Sequence, residues 1–213
     1  MSAAPVLVVD TGSGNLRSVA RALERAGARV ETSADPERVR SAERVVMPGQ
    51  GAFGDGSRAL EAGLGEAILE HIRRDRPTLG ICLGMQLLFE ESEEAPGVRG
   101  LSVFPGTVKR FAIGMPDPDE PGRRLKVPHM GWSEVEGAHP LLPERDFFYF
   151  VHSYYCAPAD ESLTVGVARY GAPFCAAIAR GALFACQFHP EKSQAAGAHL
   201  LSRFLDRQEG TWS

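Results

Sequence analysis

Gly80-Ile81-Cys82-Leu83-Gly84 sets a thiol between two glycines, where the apolar run Thr78 to Ile81 gives way to the helical run Met85 to Phe89. Small residues beside a nucleophile allow the strained strand–turn–helix elbow that hydrolases also use with serine. A thiol at that elbow faces a helix N-terminus, whose free N–H groups and dipole favour the thiolate. The Leu83 N–H is placed to donate to an oxyanion. A buried core cysteine is the competing reading, common for free cysteines, but the paired glycines favour the nucleophile. Such a nucleophile needs a base, and the base needs an acceptor to orient it. Of the six histidines, His71 and His199 lie in charged helical surroundings that suggest the surface, and His139 precedes Pro140 in a turn. His189 directly follows the strand-like run Leu183 to Gln187, at the kind of strand end where functional groups of open α/β sheets gather. Pro190 fixes the backbone after it, and Glu191 is near enough to accept from the imidazole. Cys82, His189 and Glu191 together make the candidate triad.

A third glycine-rich segment, Pro48-Gly49-Gln50-Gly51, ends another strand-like run, Arg44 to Met47. Its glycines permit backbone angles that aim an N–H at a developing negative charge. Without a triad nearby it would read as a plain turn. Gly12-Ser13-Gly14 suggests a dinucleotide loop, but Arg17 stands where that fingerprint needs its third glycine. Cys156, Cys175 and Cys186 sit in apolar, strand-like contexts as core fillers. Trp132, within Val127-Pro128-His129-Met130-Gly131-Trp132, has the usual profile of a core aromatic. In Tyr149 to Tyr155 the tyrosines, His152 and Ser153 are unusually polar for a buried strand.

These residues need a frame. Val6 to Val9, Arg29 to Thr32, Arg44 to Met47 and Thr78 to Ile81 read as strands, and helical periods begin near Asn15, after Asp35-Pro36, and over Leu64 to Ile72. That alternation predicts a largely parallel sheet covered on both faces. Val103 to Phe111, Leu125 to Val135, Phe147 to Ser153, Leu163 to Arg169 and Leu183 to Gln187 follow as strands, with some antiparallel pairing on the same core. Ser193 to Asp206 reads as a closing helix, and Met115 to Gly122 as a loop. Neither a repeat nor a dividing linker appears, so residues 1–213 are expected to form one domain.

Net charge sets limits on partners. A balance of −4, with no basic cluster longer than Arg73-Arg74 or Arg123-Arg124, argues against nucleic acid. The uncharged stretch Pro77 to Phe89 is broken by Gly80 and Gly84 and is too short to span a bilayer. Four cysteines with no secretion signal and no C-x-x-C pair point to reduced thiols in the cytoplasm, not to a disulfide framework or a zinc ribbon.

Gly80 to Gln86, Pro48 to Gly51 and Gln187-Phe188-His189-Pro190-Glu191, in this chain order, resemble the class I glutamine amidotransferase family. Gly12-Ser13-Gly14-Asn15-Leu16, Pro128-His129-Met130-Gly131-Trp132, Tyr149 to Tyr154 and Lys192-Ser193 are similar, within it, to the glutaminase subunits of histidine biosynthesis. The likeness runs from residue 12 to about residue 193 and departs at Gln50, where an apolar residue is expected, and at Ser133, where asparagine is frequent. The resemblance implies a three-layer α/β domain with a mostly parallel central sheet and some antiparallel strands in the second half. It implies hydrolysis of L-glutamine to glutamate and ammonia by Cys82, His189 and Glu191, with an oxyanion hole at Leu83, Gln50 and Gly51. Gln86, Tyr149, Ser153 and Tyr154 would hold the substrate. Asn15, Trp132 and Lys192 would meet a (β/α)-barrel synthase subunit, in a heterodimer that makes imidazole glycerol phosphate and aminoimidazole carboxamide ribotide. No metal or organic cofactor is implied. The alternatives are a glutaminase serving another synthase (pyridoxal phosphate or anthranilate), a non-catalytic relative that only binds a partner, and a cysteine peptidase on a similar elbow.

Overall fold

The computed structural model describes residues 4–12, 15–118 and 120–206. The elements run β1 (Ala4–Val9), α1 (Leu16–Arg25), β2 (Ala28–Ser33), α2 (Pro36–Ser41), β3 (Val45–Met47), α3 (Phe53–Ala59), α4 (Leu64–Arg73) and β4 (Thr78–Ile81). After the short helix α5 (Leu83–Gln86) come β5 (Phe89–Ser92), β6 (Phe104–Arg110), β7 (His129–Gly137), β8 (Arg145–His152) and β9 (Tyr154–Pro158). The described residues close with β10 (Thr164–Tyr170), β11 (Ala172–Arg180), β12 (Leu183–Cys186) and α6 (Gln194–Asp206).

Among the described residues, twelve strands form one sheet with the main order β2-β1-β3-β4-β12-β11-β10-β7-β8, and β5, β6 and β9 join it through β11. The pairs from β2 through β12 on that path are parallel, whereas β12, β11, β10, β7 and β8 pair antiparallel in turn. Alternation along β1 explains the three layers. Val6 and Val8 point into one core with Val19 and Leu23 of α1 and Leu200 and Phe204 of α6. Leu7 and Val9 point into the other, with Val39 of α2, Phe53 of α3 and Ile68 of α4. A single-residue slip of β1 would exchange these sets, so its register is firmly specified.

Several expected elements differ. The helical reading of Met85 to Phe89 is corrected: α5 stops at Gln86 and Phe89 already opens β5. The strand expected over Leu125 to Val135 begins only at His129, after a cis Val127–Pro128 bond. Helix α3 lies in a segment where no element was expected, and β9 and β11 were marked only by the strand-like contexts of Cys156 and Cys175, without bounds. His71, expected at the surface, is buried, and burial pushes its pKa down to about 4. Ser13 and Gly14 of the N-terminal motif, and Asp119 of the Met115 to Gly122 loop, lie outside the described residues.

Candidate active site

β3, β4 and β12 are parallel neighbours, so their carboxyl ends open on one edge of the sheet, the usual place for sites in open α/β sheets. Cys82 caps β4 with φ 53° and ψ −107°, a conformation that L residues rarely adopt and that persists only where its surroundings enforce it. The enforcing contacts are visible. Cys82 N donates to the Cys186 carbonyl at 2.8 Å. A methyl on Gly84 would overlap the Met47 carbonyl, and one on Gly49 would lie 2.6 Å from Leu83 Cβ. The glycines therefore let the β3 loop and the elbow lie backbone to backbone. Leu83 is the first residue of α5, so its N–H has no acceptor within the helix.

β12 runs beside β4 in the register Cys186↔Ile81, which delivers Gln187 and His189 to the same edge. His189 N donates to the Tyr149 carbonyl at 2.9 Å. A 3₁₀ turn over Pro190–Lys192 folds Glu191 back, so that His189 Nδ1 lies 2.8 Å from Glu191 Oε1. Ser193 Oγ staples the turn, donating to the His189 carbonyl at 2.7 Å and accepting from Tyr149 N at 3.0 Å. His189 Nε2 is buried without a hydrogen-bond partner among the described residues. Burial opposes charging this ring, but side-chain interactions with Cys82 and Glu191 outweigh it and raise its pKa to about 9.

A cavity of about 480 Å³ opens over these groups, lined by Gln50, Gly51, Cys82, Leu83 and His189 among others, a size suited to a small metabolite. Of the residues expected to hold substrate, Gln86, Ser153 and Tyr154 line it. Tyr149 does not: its ring packs edge-on to Trp132 at 6.0 Å with Lys192 Nζ 5.9 Å from its centre. Gln86 Nε2 donates to the Tyr154 carbonyl at 3.1 Å and to Gln187 Oε1 at 3.2 Å, and Gln187 Nε2 lies 3.5 Å from Cys82 Sγ. Among the described residues no cluster of His, Cys, Asp or Glu could hold a metal ion.

Asn15 and Glu94 complete the site in ways that sequence reasoning missed. Asn15, expected to face a partner, begins α1 in the left-handed region, with no side-chain bond to the helix. Its Nδ2 donates to Glu191 Oε1 at 2.6 Å. Glu94 lines the cavity and accepts from Phe53 N at 2.7 Å, tying the start of α3 to the loop just after β5. Its place in the acidic run Glu90-Glu91-Ser92-Glu93-Glu94 gives no hint of this. Trp132 is not core: it is 45% exposed on the outer face of β7, beside exposed Met130 and Phe147. Cys156, Cys175 and Cys186 are buried as expected.

The family model "Glutamine amidotransferase class-I" matches residues 7–208. The imidazole glycerol phosphate synthase subunit HisH of Methylococcus capsulatus is 48% identical over 94% of this chain and 95% of its own length. Its counterpart from Dechloromonas aromatica is 50% identical, over 95% and 96%. Among solved structures, a glutamine amidotransferase superposes with a TM-score of 0.72 at 20% identity, covering 94% of this chain and 97% of that one. PurLQS from Thermotoga maritima gives 0.71 at 17%, covering 95% of each. At such identities the solved structures speak for the fold alone. The family match and the near-half identity speak for more: this chain belongs to the class I glutamine amidotransferase family.

Proposed function

We propose that the chain is the glutaminase subunit of an imidazole glycerol phosphate synthase, and that Cys82, His189 and Glu191 are its triad. The carrying observation is the Cys82 elbow, opening on one cavity with His189, whose ring Glu191 holds from behind. Cys82 Sγ attacks the carboxamide carbon of glutamine. The oxyanion that forms faces the Leu83 N–H and the backbone of Gln50 and Gly51. His189 protonates the departing nitrogen as the C–N bond breaks, leaving a γ-glutamyl thioester and ammonia. His189 Nε2 then takes a proton from water, whose oxygen displaces the thiolate and releases glutamate. Gln86 and the backbone at Ser153 and Tyr154 hold the amino-acid end. Glu94, the one carboxylate among the described cavity-lining residues, complements the substrate ammonium.

Ammonia passes to a (β/α)-barrel subunit that makes imidazole glycerol phosphate and aminoimidazole carboxamide ribotide. Two observations support such a partner: the names of the half-identical relatives, and the exposed apolar patch of Met130, Trp132 and Phe147, with Lys192 beside it. An exposed apolar patch of this kind marks an interaction surface. The reaction is assigned to the cytoplasm, where free thiols persist. No helix among the described residues is long and apolar enough to cross a membrane.

Cys82→Ala in the complex should abolish glutamine-dependent synthesis, a loss on the order of 10⁶ in rate, and leave ammonia-dependent synthesis intact. An electrophilic glutamine analogue should label Cys82 alone. Label on Cys156, Cys175 or Cys186 would sink the assignment, and activation by a different synthase subunit would redirect the partner.

A further inference from the structure

His129 and His152 are Cα partners across the β7–β8 ladder, both buried, and the chemistry above uses neither. Their hydrogen bonds have only one consistent direction for neutral rings. The Tyr154 carbonyl can only accept, so His152 Nδ1, 2.8 Å away, carries a hydrogen. His152 Nε2 is then an acceptor, and His129 Nδ1 at 3.0 Å must donate to it. That leaves His129 Nε2 as an acceptor for the Ser133 hydroxyl at 2.9 Å. Burial keeps the rings neutral, pushing His129 down to about 4 and His152 to about 3. Stacking on Tyr170 at 4.1 Å and on Phe150 at 5.0 Å holds the plane of the His129 ring.

The inner end of this chain meets the active site. The Tyr154 carbonyl accepts from His152 and from Gln86 Nε2, and the Gln86 amide continues through Gln187 to Cys82 Sγ. Reversing the Gln86 amide would set two oxygens against each other at Tyr154, so a pinned carbonyl also fixes which way Gln86 faces the cavity. We propose that Ser133, His129 and His152 are positioning residues, a one-way hydrogen-bond relay that pins the Tyr154 carbonyl and, through it, the wall against which glutamine is held. The proposal rests on the glutaminase reading. Both nitrogens of His152 are engaged, so it acts through Tyr154 and not by hydrogen-bonding the substrate. The outer end, Ser133, is next in sequence to exposed Trp132, but their side chains point to opposite faces of β7, Ser133 inward to His129.

The test compares wild type, His152→Leu, His152→Asn and Ser133→Ala in complex with the barrel subunit. Losing the donor to a buried carbonyl should raise the glutamine KM of His152→Leu about tenfold, with a much smaller change in kcat. An asparagine amide nitrogen can replace the Nδ1–H donor, so His152→Asn should recover most of the loss. Ser133→Ala, further out along the relay, should raise KM about threefold. Labelling of Cys82 by an electrophilic glutamine analogue should slow in His152→Leu, while alkylation by iodoacetamide, which needs no glutamine pocket, keeps its wild-type rate. An unmoved KM in both His152→Leu and Ser133→Ala, or equal losses in His152→Leu and His152→Asn, would overturn the relay while the glutaminase reading stands. A wild-type complex that leaves glutamine untouched would overturn both.

Discussion

Glu191 Oε1 accepts from His189 Nδ1 at 2.8 Å and from Asn15 Nδ2 at 2.6 Å. The first bond keeps a hydrogen on Nδ1, so that Nε2 is the nitrogen turned to Cys82, and the carboxylate also steadies the imidazolium. The second restrains the carboxylate. Glu191→Gln keeps a possible acceptor but removes the charge, so it should cost on the order of 10²–10⁴ in turnover, against about 10⁶ for His189→Ala. Its His189 titration, followed by NMR, should fall from about 9. Equal and complete losses in two folded variants would give Glu191 another role. The candidate triad was legible because each part is contiguous: an elbow within five residues and a His-Pro-Glu turn. The part Asn15 plays was not, since 176 positions separate it from Glu191 and a helix-initiating asparagine ordinarily caps its own helix. Glu94 was hidden for a similar reason, in a run whose other members read as solvated charge.

At the level of elements, the site is a contact between the end of β3 and the β4–α5 elbow. Gly84 sits where any side chain would overlap the Met47 carbonyl, which belongs to a buried strand and cannot swing aside. Gly80 is less confined: an added methyl would lie 3.0 Å from Ala185 Cβ and 3.2 Å from Gly84. Gly84→Ala should therefore destabilise the fold by about 2 kcal/mol or more, and Gly80→Ala by less. Thermal unfolding of the two variants measures the order, and a reversed order would mean that the elbow is not the tight contact. β1 and β3 were readable because each is a short, β-branched, apolar run. The extent of β11 was not. Its stretch Phe174-Cys175-Ala176-Ala177-Ile178 is buried between β10 and β12, and an apolar run without alternation does not declare its period. α3 carries Gly54 and Gly56, poor helix formers. A methyl on Gly56 would lie 3.0 Å from Leu87 Cδ1, so tertiary packing selects glycine there against helix propensity.

For the whole molecule, the titrating groups bracket stability from both sides of neutrality. His71, His129 and His152 are held near 4, 4 and 3 by burial, against an ordinary 6.5. Between about 6.5 and 4 the unfolded chain binds more protons at these sites than the folded one, so stability falls as pH falls. Each should contribute about 1–2 kcal/mol of loss by pH 5. His189 works in the opposite sense. Its pKa is raised to about 9, so the stability it adds is fully present below 6.5 and is lost as pH rises through 9. The core thiols act higher still: burial raises Cys175 to about 11 and Cys156 and Cys186 well above 9.0, so the unfolded chain loses their protons first above about 9. Urea midpoints at about pH 5, 7 and 8.5 separate the first two effects, because the core thiols only begin to ionise in the unfolded chain near the top of that window. The midpoint should be highest near about pH 7. His71→Leu should flatten the acid limb, and His189→Gln the limb between about pH 7 and 8.5. A midpoint unchanged from about pH 7 to about pH 5 would mean that these histidines take up protons in the folded state as readily as in the unfolded one, and the neutral relay at His129 and His152 would fall with it.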